Sequence, residues 1–167
     1  EGSRTPTANA NGWNNTDVTV SFMPGDDTSG VKTSSAPTTL TTSAANQSVT
    51  GNAVDNADNS ASTTVSDINI DKVAPTLSGA PTIAANGAGW YKGDVTVTWV
   101  GDDALSGIDP TSQPAPSTIT GEGSNLGAGP VTIKDKAGNT SDPASVSGIK
   151  VDRTAPVITG GPTTQSN

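Results

Sequence analysis

The sequence predicts an all-β protein that consists of two tandem β-sandwich domains. Only 31% of the 167 residues are hydrophobic and 3% are aromatic, so any core must be thin. Nineteen glycines and 12 prolines interrupt the chain, and no stretch keeps the 3.6-residue apolar period of a helix. One sequence pattern occurs twice with a period of about 80 residues. Two repeats of this length predict two domains.

The repeats can be aligned over most of their length. "NGWNNTDVTVSFMPGDDTSGV" matches "GAGWYKGDVTVTWVGDDALSGI", which places Trp13 opposite Trp90. Further along, "VDNADNSAS" matches "KDKAGNTSD", and "INIDKVAP" matches "IKVDRTAP". We therefore expect a first domain at residues 1–72 and a second at residues 73–153. Residues 154–167 would be the start of a third repeat, a linker or a strand donated to a neighbour.

Alternation of apolar and polar side chains identifies the central strand of each repeat. In "DVTVTWVG" the threonines alternate with large apolar residues, as a half-buried antiparallel strand requires. The predicted inward-facing residues are Val18, Val20, Phe22, Val95, Val97 and Trp99. About seven short strands per repeat, separated by Gly, Asn and Asp turns, are typical of a β-sandwich.

The last strand of each repeat has an irregular spacing. Ile149 and Val151 share one face of this strand, but Val146 has the opposite parity, and Ile68 and Val65 repeat the mismatch. An odd spacing in both repeats predicts a bulge or a bend midway along the strand.

The two cores are expected to differ in how well they are filled. "PVTIKD" places Val131 and Ile133 inward, whereas the first repeat has the smaller Gly51 and Ala53 at these positions. The first core should therefore be less well filled.

Composition excludes several functions. Cysteine and histidine are absent, which rules out disulfides, Cys/His zinc sites, cysteine nucleophiles and Ser-His-Asp triads. Glu1 and Glu122 are the two glutamates, and no constellation of nucleophile, base and metal emerges, so we expect no enzyme. A net charge of −8 makes nucleic acid a poor partner. No apolar run reaches the length of about 18 residues that membrane insertion needs.

Paired aspartates are the candidate metal ligands. Each repeat has an Asp-Asp pair close to Ser-Gly, and each junction contributes one more aspartate. Hard carboxylate oxygens of this kind suit calcium. The alternative is that these side chains accept hydrogen bonds from the N–H groups of their own turns. No other cofactor is expected. The candidates are Asp26, Asp27, Asp71, Asp102, Asp103 and Asp152.

Aromatic residues near the strand entrances are the candidate binding residues. Trp13, Trp90 and Tyr91 precede the central strands and could stack on a sugar or contact a surface protein. The alternative is that they pack against their own domains.

The end of the sequence repeats the junction between the domains. "VDRTAPVITGG" resembles "IDKVAPTLSGA", so Val157 and Ile158 occupy the positions of Thr76 and Leu77. We expect these residues either to belong to a further repeat of a longer array or to complete the first domain of a neighbouring subunit by strand addition.

In combination, "DVTVTW", "DD..SG", "DKAGN" and "VDRTAP" resemble the tandem bacterial immunoglobulin-like (Big-type) repeats of secreted and cell-surface proteins. This resemblance covers nearly the whole chain, but the first repeat has Asp58 where the second has Gly138. It implies immunoglobulin-like domains and a non-catalytic extracellular spacer that contacts its neighbouring repeats. Such a spacer would hold the functional parts of a surface, adhesive or filament-forming protein away from the envelope. The alternative function is a module that binds glycan or protein.

Overall fold

The computed structural model describes residues 1–161 and contains two β-sandwiches in tandem. In the first domain, a sheet of order β1-β3-β5 packs on a sheet of order β2-β7-β6-β4. All pairs are antiparallel except β2 and β7, which are parallel. The strands are β1 (Gly2–Thr5), β2 (Trp13–Asn14), β3 (Val18–Phe22), β4 (Val31–Ser34), β5 (Thr38–Leu40), β6 (Ala44–Asp55) and β7 (Ser60–Ile70).

The second domain has the same topology in a less regular form. Its sheets have the orders β10-β9-β8 and β11-β12, and single bridges at Tyr91 and Ile108 take the places of β2 and β4. A 3₁₀ turn spans Pro110–Ser112. The described residues contain no helix of the length and apolarity that crossing a membrane requires. The strands are β8 (Thr76–Pro81), β9 (Val95–Asp102), β10 (Ser117–Ile119), β11 (Gly123–Val131) and β12 (Ala144–Val151).

The structure confirms the predicted class of two immunoglobulin-like sandwiches and most of the predicted core. Five of the six predicted inward-facing residues of β3 and β9 are buried, and the sixth, Phe22, is partly buried against the first core. The first core is formed by Val18, Val20, Ile68 and Ile70. The second core is larger and is formed by Val95, Val97, Trp99, Ile119, Ile149 and Val151.

Of the two predicted irregularities, a bulge is present in the last strand of both domains. Val65 and Ile68 of β7 pair with Val49 and Gln47 of β6, so β7 has one extra residue. In the bulge, Asp67 has φ 56°. In β12, Gly148 has φ 74° at the equivalent place. Aspartate and glycine tolerate this left-handed conformation better than most residues, which explains why these two residue types occupy the bulge.

The first core is less well filled, as its small residues predicted. A cleft of about 390 Å³ that opens to solvent, lined by Phe22, Gly51 and Ala53 among others, lies in the first domain. In the second domain Ile133 is buried at the position that Ala53 takes in the first. Gly51 has a further role, because a Cβ atom there would overlap the Phe22 ring.

Candidate metal centre at the domain junction

The two domains meet across a short junction. β7 ends at Ile70 and β8 begins at Thr76, so residues 71–75 join the sandwiches. From the first domain, the side-chain amides of Asn9 and Asn11 donate to the Lys136 carbonyl at 2.8 and 3.2 Å. Asp71, the first junction residue, is fully buried, and its N–H donates to the Asn14 carbonyl at 2.8 Å. The junction is therefore anchored on both domains.

One turn of the second domain is built around Asp103. Asp103 Oδ1 accepts hydrogen bonds from the Leu105 and Gly107 N–H groups at 3.2 and 2.6 Å. The N–H of Ser106, in the same turn, donates to Asp71 Oδ2 at 3.1 Å. The turn thus presents one carboxylate of its own and binds a second from the junction.

A second turn is built around Asp135. Asp135 Oδ1 accepts from the N–H groups of Gly138 and Asn139 at 2.7 and 2.8 Å, and Oδ2 accepts from Asn139 Nδ2 at 2.7 Å. The same amide of Asn139 lies 2.9 Å from the Asp71 carbonyl oxygen and 3.1 Å from that of Val73. Asn139 therefore holds the turn and the junction together.

These two turns and the junction bring three carboxylates together. Asp71, Asp103 and Asp135 each place one carboxylate oxygen within 4.8 Å of the other two. Asp71 and Asp135 are 0% and 1% exposed, and Asp103 is partly buried. Ion pairs of the described residues occur elsewhere, at Lys32–Asp58, Lys72–Asp17 and Arg153–Asp94. No lysine or arginine of residues 1–161 therefore forms an ion pair with this cluster.

Buried carboxylates without a cationic partner are costly, because burial removes the hydration of the charge. Three carboxylates at this separation also repel each other. A divalent cation would offset both costs, and calcium takes carboxylate and carbonyl oxygens as ligands. The residues that could hold such an ion are Asp71, Asp103 and Asp135.

The same turns recur in the first domain without the junction. Asp26 Oδ1 accepts from the N–H groups of Ser29 and Gly30, both at 2.7 Å, so Asp26 is the equivalent of Asp103. Asp55 bonds Asn59 as Asp135 bonds Asn139.

Hydrogen bonds in these exposed turns stabilise the charged form of the aspartates. The Gly30 N–H, followed by that of Ser29, holds the pKa of Asp26 below its usual value. The Asn59 side chain, followed by the Asn59 N–H, lowers the pKa of Asp55. In the first domain, Asp26 and Asp55 therefore accept hydrogen bonds from the N–H groups of their own turns. For Asp26 this is the alternative to metal binding that the sequence analysis gave.

The structure brings two of the six predicted metal ligands together and adds one that the sequence analysis missed. Asp71 and Asp103 belong to the cluster, whereas Asp102 and Asp152 lie outside it. Asp26 and Asp27 are exposed in the first domain and also lie outside it. The missed ligand, Asp135, opens the "DKAGN" turn. The first repeat has an aspartate, Asp55, at the same position. This recurrence is the signal that could have identified Asp135. Calcium binding itself stays a prediction.

The candidate binding aromatics are all partly buried. The main-chain N–H of Trp13 donates to Asn9 Oδ1, and the main-chain N–H of Trp90 donates to Asn86 Oδ1 in the equivalent turn. Lys150 Nζ lies 5.9 Å from the centre of the Trp90 ring. Tyr91 packs against the second core, and its hydroxyl donates to the Ile83 carbonyl at 3.2 Å. A structural role therefore accounts for Tyr91.

Val157 and Ile158 follow the second domain without contacting its core. Their side chains are 86% and 93% exposed. The predicted segment 154–167 extends beyond the described residues, which end at residue 161.

The comparisons with known proteins add little to this description. No protein-family model matches the sequence, and no curated protein matches it significantly. Among solved structures, the chain is similar to the fibronectin(III)-like modules of Clostridium thermocellum CbhA, with 14% identity and a TM-score of 0.37. This similarity covers 96% of the present chain and 100% of the other. The fold assignment therefore rests on the strands and sheets described above.

Proposed function

We propose that this chain is a non-catalytic spacer of an extracellular surface, adhesive or filament-forming protein, built from Big-type immunoglobulin-like repeats. The observation that carries this proposal is the anchored junction between the two sandwiches. A spacer must keep its two ends at a defined separation, so its domains cannot rotate freely relative to each other. Hydrogen bonds from both domains to the junction support such a restriction.

The covalent connection adds to this restriction. Only five residues, 71–75, join β7 to β8. Pro75 is buried and disfavours a helical conformation at Ala74, so the connection is short and extended. A chain of such units would be semi-rigid, because each repeat contacts chiefly its neighbours.

Calcium has a specific place in this proposal. Asp71 belongs to the junction, while Asp103 and Asp135 belong to turns of the second domain. A cation bound by all three would cross-link the junction to the second domain and would be lost if the domains separated. Calcium would therefore stiffen the spacer.

Small-angle scattering tests this proposal. We expect an extended, narrow two-domain particle whose maximum dimension and flexibility are independent of protein concentration at high dilution. Adding a calcium chelator, or replacing Asp71 by Asn, should broaden the distribution of interdomain orientations. A compact particle would contradict the spacer function. An extended particle that is unaffected by chelator and by Asp71→Asn would contradict only the role of calcium.

The alternative function, binding of glycan or protein, depends chiefly on Trp90. Its ring is partly buried and has Lys150 at its face, which leaves part of a flat apolar surface beside a cation. A glycan array would test this, with Trp90→Ala as the variant expected to lose binding. Unchanged binding by this variant, or no binding by the original chain, would exclude Trp90 as a ligand site.

A further inference from the structure

We infer that Asn86 is a site of spontaneous covalent modification. The main-chain nitrogen of Gly87 attacks the side-chain amide of Asn86 and converts this asparagine to aspartate and isoaspartate. The co-reactant is water, so the reaction needs no enzyme. Both reacting groups lie in the turn that precedes Trp90, at the surface of the second domain.

The sequence contains two Asn-Gly pairs, Asn11-Gly12 and Asn86-Gly87. A glycine after asparagine favours this reaction, because no Cβ atom hinders its nitrogen and its backbone dihedrals are less restricted than those of other residues. Asn86 and Gly87 are both exposed, so water reaches both reacting groups. The sequence makes both asparagines candidates, and the structure distinguishes between them.

The side-chain carbonyl of Asn86 is polarised by two main-chain N–H groups. Asn86 Oδ1 accepts from the N–H of Ala88 at 3.0 Å and from that of Trp90 at 2.9 Å. Attack on the side-chain carbon Cγ moves negative charge onto Oδ1. N–H donors that are already in place stabilise such an oxyanion. The turn therefore favours attack at Cγ of Asn86.

The attacking and leaving nitrogens of this pair are both open to solvent. The Gly87 N–H donates no hydrogen bond to any of residues 1–161. Apart from its chain neighbours, no atom lies within 4 Å of the Cβ position of Gly87. Asn86 Nδ2, which leaves as ammonia, also donates no hydrogen bond to the part of the chain that the structure describes. No contact in this part of the chain therefore has to break before the ring closes.

The other Asn-Gly pair is held by hydrogen bonds at both nitrogens. The Gly12 N–H donates to the Asn9 carbonyl at 2.9 Å, so the attacking nitrogen is already engaged. Asn11 Nδ2, the leaving group, donates to the Lys136 carbonyl of the second domain at 3.2 Å. Both hydrogen bonds must break before the ring can close, so the fold protects Asn11.

Asn9 takes the place of Asn86 in the equivalent turn of the first domain. Its Oδ1 also accepts two main-chain hydrogen bonds, at 2.9 and 3.1 Å. The next residue is Ala10, however, whose Cβ atom hinders the attacking nitrogen. Asn9 Nδ2 is also engaged, since it donates to the Lys136 carbonyl at 2.8 Å. Of the two equivalent turns, that of the second domain is therefore the reactive one.

The reaction has two steps. Base removes the proton of the Gly87 N–H, the nitrogen bonds to Asn86 Cγ, and the Cγ–Nδ2 bond breaks with release of ammonia, which takes up a proton from water. A water molecule then opens the resulting cyclic imide. Addition at Cγ gives aspartate, and addition at the main-chain carbonyl carbon gives isoaspartate. Because base starts the reaction, its rate rises with pH.

Modification would loosen the segment that follows the turn. Isoaspartate adds a methylene group to the main chain and displaces the oxygen that holds the Trp90 N–H. The next residue, Tyr91, donates from its N–H to the Lys150 carbonyl at 2.8 Å, and its ring packs against the second core. We therefore expect the modified second domain to be less stable and to carry one more negative charge.

Peptide mapping by mass spectrometry, after incubation of the chain at mildly alkaline pH, tests the inference. In the folded chain Asn86 should lose its amide faster than Asn11 and Asn9. In denaturant the two Asn-Gly pairs should react at similar rates, because the hydrogen bonds that protect Asn11 are lost. No reaction at Asn86, or equal rates at Asn86 and Asn11 in the folded chain, would overturn the inference.

The variant Gly87→Ala tests the attacking group. It should slow the reaction at Asn86 by roughly tenfold or more, because the added methyl group hinders the nitrogen and restricts the backbone. Gly93→Ala is the matched control, since its Cβ position is equally open but it does not follow an asparagine. A Gly87→Ala chain that reacts at the original rate would show that the Gly87 nitrogen is not the attacking group.

Discussion

The side-chain amide of Asn139 donates to the main-chain oxygen of Asp71, 68 residues earlier in the sequence, at 2.9 Å. The same amide nitrogen also lies within hydrogen-bond distance of the Val73 carbonyl and of Asp135 Oδ2. One asparagine therefore connects the turn of the second domain to the segment that leaves the first. It thereby connects the candidate metal centre to the interdomain junction.

Replacing Asn139 by Ala should loosen the junction. The substitution removes the donor to two junction carbonyls and should cost about 1–3 kcal/mol of unfolding free energy. It should also broaden the range of interdomain orientations measured by residual dipolar couplings. Asn59→Ala is the matched control, because Asn59 binds Asp55 in the same type of turn but does not contact the junction. Equal effects of both substitutions on the interdomain orientation would contradict a junction role for Asn139.

Calcium should raise the melting temperature, and this rise should depend on the carboxylate of Asp135. A ligand that binds only the folded state stabilises it by about 2.7 kcal/mol at a free concentration of 100 times its Kd. Asp135→Asn retains the side-chain volume but removes one charged ligand, so the calcium-induced rise should be smaller or lost. Asp55→Asn removes the equivalent carboxylate of the first domain and should leave the rise intact. A melting curve of the original chain that calcium does not change would refute the metal centre.

Replacing Gly79 by Ala should destabilise the second domain. A Cβ atom at Gly79 would overlap the Trp99 ring, which is buried in the core. Overpacking of this kind costs about 1–3 kcal/mol. Gly87→Ala is the control, since no atom lies within 4 Å of its Cβ position. Chemical denaturation should separate the two variants, and equal unfolding free energies would contradict the packing argument.

Acid should destabilise the turns that contain Asp26 and Asp109. Hydrogen bonds lower the pKa of Asp26, through the Gly30 N–H first, and that of Asp109, through the Thr111 hydroxyl first. Because the folded-state pKa is lowered, these carboxylates bind fewer protons in the folded than in the unfolded state. Their contribution is present above the unfolded pKa of roughly 4 and is lost as the pH falls through the folded pKa.

Asp26→Asn tests this pH dependence. The amide can still accept a hydrogen bond but does not titrate, so the melting temperature of the variant should fall less steeply with acid than that of the original chain. The measurement is a series of melting curves between about pH 5 and pH 3. Parallel curves for the two proteins would show that Asp26 does not contribute.

Replacing Tyr91 by Ala should reduce stability rather than remove a ligand site. Its ring packs against the second core, and loss of a buried aromatic ring costs about 3–5 kcal/mol for a fully buried residue and less for a partly buried one such as Tyr91. Tyr91→Phe should cost only the hydroxyl contact to Ile83, about 0.5–1.5 kcal/mol. Chemical denaturation measures both variants. A Tyr91→Ala protein as stable as the original would show that the ring is available for binding.

Local patterns in the sequence were sufficient to predict the central strand of each repeat and the irregularity in the last one. Alternation identified the inward side chains of β3 and β9, and a break in parity identified the bulges that contain Asp67 and Gly148. The parity of side chains along a strand is a local property of the extended backbone. The alignment of the small Ala53 with the larger Ile133 was likewise enough to predict that the first core is less well filled.

The metal centre could be predicted only in part. The Asp-Asp pairs suggested the turn at Asp103, but nothing local showed which aspartate of each pair accepts the turn hydrogen bonds. Asp135 is missed because its segment contains no Asp-Asp pair. Its carboxylate becomes a candidate ligand because the fold brings Asp71 of the junction beside it.

The sequence by itself determined the class of fold, the two repeats and the inward side chains, because these follow from alternation, turn residues and period. Only the tertiary structure decided that Asp71, Asp103 and Asp135 meet. Proximity between residues of different domains depends on how whole sandwiches pack against each other, and no local pattern in the chain encodes that packing.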